Sequence, residues 1–186
     1  MLGVILFLIG ALLVVGVVLF NRLIRSRNRV DTAWSDIDVQ LQRRHDLIPN
    51  LVAAVDQYAD YEKATLAAIT ELRARAEKAD DVAERGDVEE ELSVGMHKLI
   101  ALAESYPDLK ANENFLKLQG ELVETEDYLQ FARRYYNGSV RDYNTMTEVV
   151  PSNIIASLFS FGQRQFFQKK SDDVANVPLV DLGSVD

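Results

Sequence analysis

Apolar residues follow two patterns along this chain. From Leu2 to Phe20 they are continuous, reading LGVILFLIGALLVVGVVLF, nineteen residues with no charge and no strong polar group. A helix of that length is roughly 28 Å long, close to the hydrocarbon thickness of a bilayer. Beyond Arg29 the pattern becomes periodic. Val30, Trp34, Ile37, Leu41, Ile48, Leu51, Val55 and Tyr58 are separated by steps of 4, 3, 4, 7, 3, 4 and 3. A period near 3.5 residues belongs to helices packing at small angles.

The periodic region predicts several helices. The first would run from about residue 22 to 78, with Pro49 or the neighbourhood of Asp60 as places for a break, because proline lacks a donor and clashes with the preceding turn. Residues 78–87, KADDVAERGD, are charged and end near a glycine, and such composition reads as a loop. A shorter helix is expected from Val88 to Tyr106, ended by Pro107, with Asp108 as cap for the next. A third long helix is expected from Leu109 to Val149. Its apolar line includes Phe115, Leu118, Leu122, Leu129, Ala132, Tyr136, Val140 and Tyr143. Pro151, with Ser152 and Asn153 as caps, opens a short apolar helix that Gly162 stops. The tail from Ser171 reads as frayed.

Together these predict an all-α protein: one transmembrane anchor (1–21), an antiparallel bundle of three to four long helices with a short C-terminal helix (22–170), and a flexible tail (171–186). Lengths pose a difficulty. A helix of residues 22–78 would be about 85 Å long and the Val88–Tyr106 helix about 28 Å. Either the first helix breaks, or another copy of the chain covers its bare length.

A cleaved signal peptide is the rival to the anchor, but it calls for a shorter apolar stretch, basic residues before it and a small-residue cleavage site after it. Here Asn21-Arg22-Leu23-Ile24-Arg25 follows. Arg22, Arg25, Arg27 and Arg29 lie just past the span, with no acid in residues 1–29. By the positive-inside rule they hold that end in the cytoplasm, leaving a short N-terminus outside. They also suit anionic lipid headgroups. The expected location is therefore the cell membrane.

The net charge is -9, and because the collar contributes four positive charges the chain beyond it carries -13. So acidic a domain repels phosphate backbones, which argues against nucleic-acid binding. The chain has no cysteine, which removes disulfides, thiolate catalysis and thiolate metal sites. His45 and His97 belong to different helices, and neither follows a glutamate by three residues as in di-iron bundles. There is no His-Glu-x-x-His, no phosphate-binding glycine loop and no Gly-x-Ser-x-Gly elbow. No catalytic residue, metal ligand or cofactor is expected.

Two polar clusters and one apolar segment remain. Arg43, Arg44, His45, Asp46 and Asn50 form a candidate interaction patch. Glu121, Glu124, Glu126 and Asp127, followed by Arg133 and Arg134, lie on the third long helix, and the opposite charges are placed to pair across the bundle and set its register. The alternative is a pair of solvated faces. Ile154, Ile155, Leu158, Phe159, Phe161, Phe166 and Phe167 are unusually apolar for a C-terminus. They are candidates for a cap over the bundle, a self-association surface or a membrane contact.

Three stretches carry a resemblance: NRLIRSRNRVDTAWSDIDVQLQRRHDLIPNL (21–51), NENFLKLQGELVETEDYLQFARRYYNGSVRDYNT (112–145) and PSNIIASLFSFGQRQFF (151–167). In order and spacing, behind an N-terminal anchor, the chain resembles the LemA family. The resemblance implies a membrane-anchored helical bundle with a short exterior N-terminus. The family has no established enzymatic activity and no accepted catalytic residues to carry over. The expectation is a non-enzymatic scaffold or adaptor of the cell envelope, homo-oligomeric or bound to other envelope proteins. Membrane remodelling through the basic collar and the apolar C-terminal segment is the alternative, and an enzyme of unknown type the third.

Overall fold

The computed structural model describes residues 1–58, 63–103 and 105–167. They form α1 (Leu2–Asp56), α2 (Lys63–Lys78), α3 (Val82–Ala103), α4 (Pro107–Lys110), α5 (Glu113–Glu148) and α6 (Ser152–Leu158), with no strand among the described residues. The all-α bundle expected from periodicity is present. The anchor and the first bundle helix are one continuous rod, α1, of 55 residues, about 80 Å long.

Pro49 does not break α1. It sits on the exposed side, while Ile48 and Leu51 beside it are buried to within 1%. Packing on both flanks outweighs the roughly 3 kcal/mol that an interior proline costs. The helix ends instead at Asp56, with Gln57 as C-cap. Asp60 itself lies outside the described residues, as does the tail from Ser171.

The expected loop at 78–87 is largely helix. Only residues 79–81 separate α2 from α3, and Arg85, Gly86 and Asp87 lie within α3. Asp81 Oδ2 accepts from the Glu84 backbone N–H at 3.1 Å, so an acid in the charged run anchors the first turn. Charged composition misled the reading, since an exposed helical face is just as polar as a loop. Farther on, Asp108 does not cap the long helix but lies in the first turn of α4, and Asn112 caps α5 by accepting from Asn114 and Phe115.

Cross-helix pairs give the directions. Arg43 meets Glu124 and Trp34 meets Tyr136, so α5 runs antiparallel to α1. Asp38 meets Arg85 and Arg44 meets Glu89, so α3 runs parallel to α1. The intervening α2 is antiparallel to both, and Gly95 of α3 lets Ile69 and Leu72 of α2 approach. Beyond Trp34, then, α1, α2, α3 and α5 form a four-helix bundle.

Nearer the anchor α2 and α3 are absent, and the C-terminus covers α1 instead. After α6 the backbone turns at Ser160, whose φ of 55° is left-handed. Ser160 N–H donates to Ser157 O at 3.4 Å and Phe161 N–H to Ala156 O at 2.9 Å. This pair of bonds is a Schellman ending, which favours glycine at the left-handed position. Gly162, expected as the stop, lies two residues later. The chain then returns along α5, held by side chains. Tyr143 Oη donates to Gly162 O at 3.0 Å and Tyr136 Oη to Gln165 O at 2.9 Å. Asn144 bonds both the carbonyl and the N–H of Arg164, at 2.9 and 2.8 Å. Asn137 Oδ1 accepts from Phe167 N–H at 3.0 Å. Residues 161–167 thus act as a strap, and the length mismatch of the sequence reading disappears within one chain.

Because Ser160 holds a left-handed conformation, Ser160→Gly is expected to stabilise the protein by about 0.5–1 kcal/mol. Thermal unfolding of the detergent-solubilised full chain, followed by circular dichroism, checks this, and a lowered midpoint would contradict the assignment.

Candidate functional site

Two apolar cores are stacked along α1. The one far from the anchor contains Ile48, Leu51, Ile69, Leu92, Leu99 and Leu122. The near one contains Leu23, Ile37, Leu41, Leu129, Tyr143 and Phe167. Between them lies a layer of buried charge. Arg44 is wholly buried, as is Glu89, and His45 is 1% exposed.

The long Arg44 side chain reaches both neighbouring helices. Its Nη2 pairs with the Glu89 carboxylate of α3 and also donates to the Glu89 carbonyl at 3.2 Å. Its Nη1 pairs with Glu126 of α5 at 2.9 Å. His45 Nε2 lies 2.8 Å from Glu89 Oε1, so the carboxylate accepts from both consecutive residues of α1. Burial pushes the Glu89 carboxyl upward, but the His45 hydrogen bond and the Arg44 charge outweigh it and hold it below 4.5. It is therefore an anion at neutral pH.

Arg133 extends the layer. It is 5% exposed, lies 3.5 Å from Glu90, and stacks 4.9 Å from the Phe167 ring centroid. Burial lowers its pKa, the Arg44 charge adds to that, and Glu126, Glu90 and Glu89 oppose it.

The candidate patch of the sequence reading is therefore split. Arg44 and His45 lie inside the bundle and present nothing to a partner. Arg43 is exposed and pairs with Glu124 at 2.9 Å. Asp46 is exposed, accepting from Gln42 at 2.9 Å, and Asn50 is exposed. Of the acidic cluster on α5, Glu124 and Glu126 make the cross-bundle pairs anticipated. Arg134 instead covers the Phe131 ring at 4.7 Å. Glu89 was missed, although the line Leu92, Met96, Leu99, Ala103 projects back through it at steps of 3 and 4.

The apolar C-terminal set divides as well. Phe167 is fully buried, and Ile155 and Phe161 pack on the near core. Ile154, Leu158, Phe159 and Phe166 remain exposed at 63%, 72%, 54% and 42%. Three of the four collar arginines, Arg22, Arg25 and Arg29, are exposed, whereas Arg27 lies over the Phe161 ring at 5.5 Å.

No group of three His, Asp or Glu side chains among the described residues is arranged to hold a metal. A cavity of about 1150 Å³ between α2 and α3 is lined in part by small and apolar side chains such as Ala64, Ala68, Leu72, Val94 and Gly95. Asp87, Glu90, Glu91 and Lys98 also line it, and of these acids Glu90 pairs with Arg133 and Glu91 with Arg75, each at 3.5 Å.

Fold and site together define a class: a helical bundle carried on one exposed apolar helix, its buried charges spent on each other. Over residues 33–182 the chain matches the LemA family, and it belongs to that family. It is similar to Protein LemA of Metamycoplasma hominis, 24% identical over 183 residues, covering 95% of this chain and 84% of that one. It is also similar to Magnetosome protein MamQ 2 of Paramagnetospirillum magneticum and Magnetosome protein MamQ of Magnetospirillum gryphiswaldense. These are 23% and 20% identical over 177 residues, covering 81% of this chain and 65% of each relative. The chain thus spans just under two thirds of the MamQ proteins. Family membership and the apolar first helix suggest a membrane-associated, non-enzymatic protein.

Removing one partner from a buried ion pair strands the other. Glu89→Leu is expected to cost about 3 kcal/mol, and adding Arg44→Met should restore much of that loss. Chemical denaturation of the two variants in parallel checks it; equal stability for the single variant and the native protein would dismiss the network as structural. The Glu89 pKa is depressed on folding, so its contribution is present above 4.5 and is lost as pH falls through the lowered folded value. In Glu89→Gln the loss of stability below that pH should be shallower than in the native protein.

Proposed function

We propose that this protein is a non-enzymatic scaffold held at the cell membrane by a single span. The bundle faces the cytoplasm and the N-terminal end of α1 faces out. The observation that carries this is the continuity of α1. Residues 2–15 of the apolar run are all exposed, and the same helix then supplies Leu23, Val30, Ile37 and Leu41 to the core. Phe20, at the end of the run, packs on Phe159 and Phe161 with ring centroids 4.8 and 5.7 Å away. Cleavage near residue 20 would cut a helix inside its own tertiary contacts, which favours a retained anchor over a signal peptide. A rigid helix leaving the bilayer holds the bundle at a set height and angle. That geometry suits a protein acting by position, either on a second copy of itself or on other envelope proteins.

A second reading is membrane remodelling. It is favoured by the exposure of Ile154, Leu158 and Phe159 beside the anchor.

Orientation is testable directly, because the chain has no cysteine. Gly3→Cys should react with an impermeant maleimide on intact cells, and Ser105→Cys only after lysis. The reverse pattern would overturn the cytoplasmic placement. Light scattering of the full chain in detergent should return the mass of a uniform oligomer; a monomer would remove self-association from the proposal. Arg43→Glu, on the exposed remainder of the patch, should then weaken that oligomer if the patch contributes to it.

A further inference from the structure

We propose that the groove between the end of the anchor and the α5–α6 turn binds an anionic phospholipid of the adjoining leaflet. The inference rests on the anchored reading above. The groove, about 720 Å³ in volume, changes character along its length. Its lower end is formed by Val18 and Leu19 of α1 and by Val149 and Val150. Its upper end is formed by Arg22, Arg25 and Arg29. These arginines are spaced 3 and 4 residues apart and so share one face of the helix. About 10 Å along the axis separates Val18 from Arg25. A phospholipid has the same order of parts, acyl chains followed within a few ångströms by a phosphate.

The charges of the groove are open to a ligand. Among the described residues no carboxylate lies within 4.0 Å of Arg22, Arg25 or Arg29, and Arg25 Nε reaches only its own helix, donating to Asn21 O at 3.3 Å. The acid on the facing wall, Asp142, lies 3.5 Å from Arg141 Nε. Three arginines against one partnered aspartate leave a cationic site in a chain whose net charge is -9. Arginine also presents the planar fork that suits phosphate oxygens.

The level of the groove in the bilayer is fixed by α6. Ile155 Cδ1 lies 3.9 Å from the position a Cβ would take on Gly16, and Phe159 meets Phe20. Both contacts fall on the apolar run of α1, so α6 lies beside the anchor at hydrocarbon depth. Its exposed Ile154, Leu158 and Phe159 then face acyl chains, and the mouth of the groove opens at the headgroups.

The test uses the full chain in nanodiscs of phosphatidylcholine doped with phosphatidylglycerol, transferred to mild detergent, with retained lipid counted by native mass spectrometry. Phosphatidylglycerol should be retained over phosphatidylcholine, and Arg25→Gln with Arg29→Gln should cut that preference roughly tenfold or more. Val150→Glu, on the wall that carries no topology signal, should cut it as well. Arg27→Gln, outside the groove, should leave it unchanged. Equal retention of both lipids, or a preference untouched by the arginine and Val150 variants, would overturn the proposal. Loss of retained lipid on adding inorganic phosphate alone would assign the site to free anions and also overturn it. Maleimide labelling of Gly3→Cys in the same variants reports inversion of the span, and extraction of the native protein by alkaline carbonate would refute the anchored reading itself.

Discussion

The architecture depends on one buried cation. Arg44 has no exposed surface and is the meeting point of α1, α3 and α5. A charge in that position is tolerated only with its partners in place, because its desolvation is large and uncompensated otherwise. Sliding α5 by one turn along α1 would bring Leu122 or Leu129 towards Arg44 in place of Glu126. Sliding α3 by one turn would bring Arg85 or Leu92 in place of Glu89. Leucines offer no such penalty, since one apolar residue replaces another at little cost. The two apolar cores supply most of the driving force, and the charged layer between them selects the alignment in which they form.

A second constraint joins the bundle to the apolar N-terminal run. Helix α1 passes from the apolar run to the core without a break, and the strap of residues 161–167 closes the portion that α2 and α3 do not reach. The strap has no secondary structure of its own, so its backbone groups require partners. Tyr136, Asn137, Tyr143 and Asn144 provide them from two successive positions a heptad apart on α5. Phe161 and Phe167 then bury their rings against Arg27 and Arg133, tying the C-terminal segment to both the collar and the charged layer.

Much of this was legible along the chain, and the places where it was not have identifiable causes. The core lines of α1 and α5 appeared as apolar periodicity, and the single step of 7 in the α1 line spans Arg44. A gap filled by an arginine is what a buried charge looks like in a pattern of apolar residues. Glu89 was concealed because the charged run before it read as a loop, which moved the start of α3 by six residues. The strap partners were concealed for another reason. Asparagine is a poor helix former and tyrosine an ordinary core residue, so the repeated Tyr-Asn pair carries no sign of the backbone it binds.

By itself the sequence determined the apolar span, the arginine collar after it, the all-α class and the helical faces that become core. Each is a local property, set by hydropathy and spacing over a few turns. Only the tertiary structure decided that Arg44 and His45 belong to the interior while Arg43 and Asp46 do not. It also decided that Pro49 is carried within a continuous helix, and that the C-terminus returns to lie against the anchor. These outcomes depend on residues 44 to 133 positions apart meeting across the bundle, and no window along the chain contains both members of such a pair.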